Sequence, residues 1–347
     1  MPPLRAGIVG LTEIAAAHAG STSPLYGVIQ SSHASALADH PNVEMLGVCD
    51  LNPELVERFR TEWADRWPVV RGFTDYRRLL AEGPLDLLSV CTSDHVHADI
   101  VVEACRAGVR AIFCEKPIAT SIRDADRMIR AAEESGTLLS IDHTRRWQPM
   151  YRHARECLRV GEIGEVRCIV GTLGGARAML FRNGTHLIDT ILMLVESKPE
   201  WVFAELDPGF EDYGEYRGDG GRDPNSEPGG SGYIHFENGV RAFVNVNKGT
   251  VPVFTLEVFG STGRLSLSDR EAVVHRADGT LGKLPPPATG RAGIAAGIDE
   301  LVGRLLGEPG PLVSPPTSSR EVLRVILGML QSQVRGNVRV ELSEIVA

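Results

Sequence analysis

Lysine is nearly missing from this chain. Of 36 basic residues only four are lysines (Lys116, Lys198, Lys248 and Lys283), so arginine supplies almost all the positive charge. That scarcity singles out any lysine that falls inside a chemical motif. Positive charge in excess is also absent. The 45 acidic residues leave a net charge of −9, which argues against nucleic acid or an anionic membrane surface as the main partner. No apolar run reaches about 18 residues, the length a membrane-spanning helix needs. Six cysteines are scattered without a C-x-x-C pair, so no structural zinc is expected and metal ligands are assigned to none. The opening MPPLRAGIVG leads straight into a strand-like run and lacks a signal-peptide layout, so a reduced, cytoplasmic protein is expected. No internal repeat or low-complexity tract is present.

What is there suits ordinary buried cores. The 347 residues are 43% hydrophobic and 23% charged, a length and composition that predict two folded domains. Up to residue 143, apolar runs (Leu4–Gly10, Val43–Asp50, Leu85–Thr92, Ala111–Glu115, Leu138–His143) alternate with amphipathic stretches (Pro53–Asp65, His95–Ala107, Ile122–Ser135). Runs apolar on both faces, separated by helices, predict a doubly wound parallel α/β sheet of the Rossmann type. From residue 144 to 347 the rhythm changes. Helical stretches at Trp147–Leu158 and His186–Val195 flank a strand at Val166–Leu173. Consecutive strands then follow at Gly232–Glu237, Arg241–Asn247, Phe254–Gly260, Arg264–Ser268 and Ala272–Arg276, with Asn238-Gly239 as a hairpin turn. Helices at Gly293–Leu306 and Ser319–Gln333 close the chain. This half reads as an α+β domain with an open, mostly antiparallel sheet. The segment 207–231, rich in Gly, Asp and Glu, reads as a long loop.

The turn after the first strand, Gly10-Leu11-Thr12-Glu13-Ile14-Ala15, is a partial G-x-G-x-x-G/A pattern, in which backbone N–H groups approach a pyrophosphate. Asp50 ends the next predicted strand, where a carboxylate can accept both ribose hydroxyls of NAD and repel the 2′-phosphate of NADP. The alternative is an aspartate that merely ends a strand. Asp50 lies 40 residues after Gly10 rather than the usual ~20. An insertion explains the excess, because Ile14–Ala19 and the segment from Ser31 to Ala34 each look like the start of the same helix, 15 residues apart. Residues 19–32 then either border the cofactor or substrate or form a plain surface loop. Lys116, in Cys114-Glu115-Lys116-Pro117, ends a predicted parallel strand, where ligands bind such sheets; an ammonium there can polarise a substrate oxygen. His95 and His97 lack further ligands for a metal, and Thr92, Ser93 and His97 are placed at the cofactor.

These motifs make the sequence similar to the Gfo/Idh/MocA family, named for glucose–fructose oxidoreductase, inositol dehydrogenase and a rhizopine-catabolism protein. The match includes Ile8-Val9-Gly10 with Ile14-Ala15, Val48-Cys49-Asp50, Ser89-Val90-Cys91-Thr92 followed by His97, and Glu115-Lys116-Pro117. It continues through Arg145-Arg146-Trp147-Gln148-Pro149, Gly184-Thr185-His186-Leu187-Ile188-Asp189 and Val258-Phe259-Gly260. The resemblance implies a nicotinamide cofactor and hydride transfer at a secondary alcohol or ketone of a sugar, sugar derivative or cyclitol. It also implies a homodimer or homotetramer formed through the C-terminal sheet. Lys116 takes the family's cleft-lysine position and His186 its acid/base position, with Asp189 orienting His186 or capping the helix. Gly10, Thr12, Glu13, Ile14, Asp50, Leu51, Thr92, Ser93, His97 and Glu115 are expected at the cofactor. Arg146, Trp147, Arg182, Asn183 and Asp189 are expected at the substrate.

Three departures stand out. Thr12 replaces a common glycine, Asp94 a common asparagine, and Arg182 an aspartate that the family often places four residues before its histidine. Arg182 either binds an anionic or keto-bearing substrate, leaving Asn183 to contact hydroxyls, or points away from the cleft. Two other functions compete with a dehydrogenase: NAD-dependent glycoside cleavage through transient sugar oxidation, and a non-catalytic NAD-linked sensor.

Overall fold

The computed structural model describes residues 2–18, 20–23, 27–208, 227–284 and 291–346. The first elements are β1 (Leu4–Val9), α1 (Glu13–Ala16), β2 (Gly20–Ser23), β3 (Gly27–Gln30), α2 (His33–Ala38), β4 (Val43–Cys49) and α3 (Pro53–Glu62). They are followed by β5 (Arg71–Phe73), α4 (Tyr76–Ala81), β6 (Leu87–Val90), α5 (His97–Arg106), β7 (Ala111–Cys114), α6 (Ile122–Ser135) and β8 (Leu138–Ile141). Next come α7 (Pro149–Arg159), β9 (Val166–Gly175), α8 (Gly184–Val195), β10 (Pro199–Leu206), β11 (Gly230–Phe236), β12 (Arg241–Lys248) and β13 (Val253–Gly260). The chain ends with β14 (Gly263–Ser268), β15 (Ala272–Arg276), β16 (Leu281–Lys283), α9 (Ile294–Leu305), α10 (Pro316–Val334) and β17 (Val340–Glu341). Among the described residues no helix is long and apolar enough to cross a membrane.

Two compact units divide the chain. Met1–Ala119, Arg123–Trp147 and Thr289–Thr317 make the first; Thr120–Ile122, Gln148–Ala288 and Ser318–Ala347 make the second. A single cut between residues 143 and 144 misses the return of α9 to the first unit. The reason is packing: Ile298, Leu301 and Val302 of α9 are buried in one cluster with Phe113 and Trp147. Gly297 permits the approach, since a Cβ there would lie 2.7 Å from Phe113 Cζ.

The first unit is a six-stranded parallel sheet in the order β5-β4-β1-β6-β7-β8. Every residue of β6 and β7 is buried, as expected for strands covered on both faces. Strand order reverses between β1 and β6, so the connections that leave their carboxyl ends run in opposite directions, the usual place for a ligand crevice. The edge strand β5 and helix α4 escape the sequence reading because they are short, three and six residues.

The expected insertion is a β-hairpin, β2 paired antiparallel with β3, set inside what would otherwise be one helix. The helix resumes where it stopped. Ser32 Oγ donates to the Ala17 carbonyl at 2.6 Å and accepts from the Ser35 N–H at 3.1 Å, forming one half of a capping box. Trp63 Nε1 donates to the Ala16 carbonyl at 2.9 Å, and its ring stacks on His18 at 3.8 Å.

The second unit is a nine-stranded mixed sheet, β16-β15-β14-β13-β9-β12-β11-β10-β17. Only the β9–β12 pair is parallel. Alternation buries one face through residues such as Ala242, Val244 and Val246, and α8 packs against β9 and β12. The opposite face carries Phe203, Tyr233 and Phe243 in register on β10, β11 and β12. Of the expected loop 207–231, residues 209–226 lie outside the described residues, and its end, Glu227–Gly229, is buried.

Ser32 therefore joins two helix fragments through side-chain bonds that alanine cannot make. Ser32→Ala is expected to lower stability by about 1–2 kcal/mol, read as a lower urea midpoint with an unchanged m-value.

Candidate active site

The first unit gathers its chemical groups at the carboxyl edge of the sheet. Gly10 has φ +88°, and a Cβ there would lie 2.6 Å from the Cys91 carbonyl oxygen, so only glycine lets β1 turn past β6. Thr12 is extended (φ −72°, ψ 179°), a conformation that a β-branched residue adopts without strain. The missing second glycine therefore carries no backbone penalty. Thr12, Glu13 and Ile14 are exposed beside the turn.

Asp50 ties this turn to the end of β4. Its Oδ2 accepts the Leu11 N–H at 2.8 Å and its Oδ1 the Asn52 N–H at 2.9 Å. A carboxylate has about four lone-pair sites, so two backbone bonds leave acceptor capacity for hydroxyls. Leu51 beside it is 88% exposed. At the crevice Thr92 Oγ1 is buried and has no hydrogen-bond partner among the described residues. A glycine turn at the switch point, an acceptor-rich Asp50 and the orphaned Thr92 hydroxyl together suit a dinucleotide.

His97 sits between the loops that follow β6 and β7. Its ring is fully buried, with Nδ1 3.1 Å from the Pro117 carbonyl and Nε2 3.0 Å from the Thr92 carbonyl. Both nitrogens face backbone, so the ring braces the loops after β6 and β7 together. Arg146 and Trp147 are likewise drawn inward. Arg146 Nη1 donates to the Val313 carbonyl at 3.2 Å, and the buried Trp147 donates Nε1 to Glu300 Oε2 at 2.9 Å while meeting Phe113 edge-on. The indole is core rather than substrate surface. Ser93 precedes a short helical turn and makes no side-chain cap.

Glu115 and Lys116 follow β7, with a cis bond between Lys116 and Pro117. Lys116 is half-buried; its backbone N–H donates to Glu115 Oε2 at 3.2 Å. Two residues not singled out by sequence complete the cluster. His33 Nε2 stands 3.4 Å from Glu115 Oε1 and 3.7 Å from Asp142 Oδ2. Burial acts to raise the Glu115 pKa, but the His33 hydrogen bond and the charges of Lys116 and His33 prevail and hold it at about 2. Burial and the Glu115 anion push the Asp142 carboxyl well above its ordinary range, against the pull of Lys116. The cysteines are inert. Burial, then Asp50 and Asp75, push the Cys49 thiol up to about 12, and the other five shift in the same direction chiefly through burial.

Among the described residues, His33, Glu115 and Asp142 form the one His/Cys/Asp/Glu group close enough to hold a metal ion, with their atoms within 4.8 Å of one another. A ligating carboxylate must be deprotonated, so a bound cation would have to overcome the burial and the Glu115 charge that raise the Asp142 pKa.

The second unit places its candidates at the start of α8. Asn183 is the N-cap residue; the His186 N–H donates to its carbonyl at 3.1 Å, and Thr190 Oγ1 donates to the His186 carbonyl at 2.7 Å. His186 is half-buried, and Asp189, three residues later on the same helix face, is buried. Just before the helix, the backbone N–H groups of Phe181 and Arg182 donate to Glu227 Oε1, the latter at 2.9 Å. Glu227 sits at the end of a loop with no periodicity, so no spacing signal points to it.

A doubly wound sheet with a glycine turn and an acidic residue at its switch point defines a dinucleotide-binding α/β protein, here joined to an α+β unit. The NAD-binding Rossmann model of the Gfo/Idh/MocA oxidoreductase family matches residues 26–143, and that family's C-terminal domain model matches residues 151–266. The chain belongs to this family of oxidoreductases. It is 24% identical over 257 residues to the uncharacterized oxidoreductase YrbE of Bacillus subtilis, covering 68% of this chain and 70% of that protein. It is 28% identical over 170 residues to the inositol 2-dehydrogenase of Salmonella typhimurium, covering 48% of this chain and 45% of that enzyme. The alignment thus spans less than half of the inositol enzyme. In fold it resembles the aldose–aldose oxidoreductase of Caulobacter crescentus, with a TM-score of 0.78 at 19% identity over 98% of this chain and 99% of that one.

Asp142 carries a measurable consequence. Its folded pKa is raised above the ordinary 3.8, so the folded chain keeps a proton that the unfolded chain releases above that pH. This group's stabilisation is complete below pH 3.8 and is lost as pH rises toward the folded pKa. Asp142→Asn, with no proton to lose, should therefore be the more stable protein near neutral pH, with its advantage shrinking toward pH 3.8 in paired urea titrations.

Proposed function

We propose that the chain is an NAD-dependent dehydrogenase or ketoreductase acting on a secondary alcohol or ketone of a sugar, sugar derivative or cyclitol. The observation that carries this reading is Lys116. It stands at the carboxyl end of β7, beside a buried carboxylate, in the unit matched by the family's NAD-binding model. The name of the inositol 2-dehydrogenase relative supports the substrate class. Asp50 favours NAD, because its anion repels a 2′-phosphate while its free lone pairs accept ribose hydroxyls.

The nicotinamide supplies the hydride acceptor or donor. The chain's own groups supply the rest. Lys116 donates a hydrogen bond to the substrate oxygen and stabilises negative charge developing on it. His186 takes the alcohol proton or returns it to the carbonyl, and Asp189 orients the imidazole. Asn183 meets substrate hydroxyls. Arg182, whose backbone is held by Glu227, selects an anionic or keto-bearing substrate. Gly10, the exposed Thr12, Glu13 and Ile14, and Leu51 line the dinucleotide, with Thr92 and Ser93 at its nicotinamide end.

The chain assembles through its C-terminal sheet as a homodimer or homotetramer. The open face supports this: Phe203 and Phe243 are 44% and 41% exposed, and Tyr233 between them packs against both rings at 5.5 and 5.3 Å. A contiguous exposed aromatic row is an interaction surface rather than a solvent surface. The unpaired cysteines suit a reducing cytoplasm.

The test is NADH formation from NAD+ across a panel of cyclitols, neutral sugars and uronates. Lys116→Ala and His186→Ala should each lower kcat by roughly 10²–10⁴-fold. Uronates should outpace neutral sugars, and Arg182→Ala should remove that preference. Tight NAD binding without turnover of any member would defeat the proposal; aglycone release without net NADH would mark glycoside cleavage. Separately, Phe243→Lys should dissociate the oligomer in sedimentation velocity, and an unchanged sedimentation coefficient would exclude the sheet as its interface.

A further inference from the structure

The reaction scheme leaves one buried cluster unused. His33 opens α2, Glu115 follows β7 and Asp142 follows β8; they are 0%, 8% and 1% exposed. Phe113 packs on the imidazole at 5.2 Å. Two carboxyl groups this close in a low-dielectric site cannot both ionise cheaply, so they divide the roles. Burial and the Glu115 charge push the Asp142 carboxyl up toward its protonated form, while the His33 contact at 3.4 Å and the Lys116 charge favour the Glu115 anion. His33 Nδ1 and Asp142 Oδ1 are buried without hydrogen-bond partners among the described residues. A cluster that served stability alone would gain by filling or removing them.

We infer that His33, Glu115 and Asp142 act as one positioning unit for Lys116, presenting a single negative charge that keeps its side chain cationic and fixed at the sheet edge. Glu115 is the anion, Asp142 the neutral donor that prevents a second charge, and His33 the bracket that fixes the Glu115 carboxylate. None touches the reacting atoms; all three act through Lys116. The inference rests on the proposed role of Lys116 as the oxygen-polarising cation.

The other titratable groups near the unit do not compete. From β6 comes Cys91 and from β7 Cys114, both held as neutral thiols chiefly by burial. On α9, which packs against α2, β7 and β8, Asp299 pairs with Arg291 and His40, and Glu300 bonds to Trp147 and to the Val313 N–H.

Lysine scarcity makes the test clean. Full-length protein labelled with 13C at lysine Cε yields four resonances to follow against pH, with Lys116→Arg assigning the one of interest. Glu115→Gln should move the Lys116 titration to lower pH and reduce kcat by about tenfold or more. Asp142→Asn keeps a neutral donor and should leave the Lys116 titration in place. Glu115→Asp keeps the anion and should restore that titration, which also covers the case in which Glu115→Gln fails to fold. The inference is overturned if Lys116 titrates unchanged in Glu115→Gln, or shifts as far in Asp142→Asn. It is also overturned if stoichiometric metal co-purifies and a chelator reproduces the Glu115→Gln shift. The lysine titration needs no substrate. A wild-type protein inactive on the whole panel therefore sinks the functional reading without deciding the Lys116 result.

Discussion

Strands buried on both faces leave charged groups only one kind of place, their ends. Because β6 and β7 have no exposed position, every charge the first unit uses must gather at the sheet edge and find its partners there. The pairings follow from that constraint. Asp50 takes the N–H groups of Leu11 and Asn52, His97 lies between the carbonyls of Thr92 and Pro117, and Glu115 takes the N–H of Lys116. Each bond fixes a loop that carries a candidate site residue. Loop geometry and electrostatics are the same interactions here.

The same economy explains how the first helix tolerates its interruption. A hairpin within a helix would normally expose unpaired carbonyls at the break. Here the Ala16 carbonyl accepts from Trp63 and the Ala17 carbonyl from Ser32, so the fragments α1 and α2 keep one course across the insertion. That continuity brings His33 beneath β7. A helix that drifted by one turn would carry the imidazole about 5.4 Å along its axis, beyond reach of Glu115.

What was legible in the sequence follows the range of each interaction. The buried strands announced themselves as apolar runs, and Gly10 with Asp50 was visible because both lie at strand ends in a recognisable frame. Strand β5 and helix α4 were hidden because they are too short to show a periodic pattern. The return of α9 was hidden because its partners Phe113 and Trp147 are far away in sequence. His33 and Glu115 lie 82 residues apart, and Glu227 and Arg182 lie 45 apart, so no local pattern links them. Trp147 shows the opposite error. Its neighbourhood in a family motif suggested a ligand contact, whereas the indole fills the core and spends its N–H on Glu300. The contacts of the His97 ring nitrogens with the Thr92 and Pro117 carbonyls were not legible, because spacing locates a residue without showing which way both nitrogens point.

Lysine at 116 makes physical sense in a chain that otherwise uses arginine. A guanidinium is charged under all ordinary conditions, so a neighbouring carboxylate could orient it but could not change its protonation. An ammonium is a compact point charge whose protonation responds to its surroundings. It can sit in the small space at a strand end and donate along several directions to one oxygen. A tuned carboxylate beneath it is useful only if the residue above can be tuned. Two carboxyl groups at the site demand a further condition. If both ionised, the second anion would compete with the substrate oxygen for the same cation and weaken the polarisation the reaction needs. Keeping Asp142 protonated removes that competitor while leaving a donor to orient Glu115. The arrangement sets the Glu115 anion beside the cation proposed to polarise the substrate oxygen.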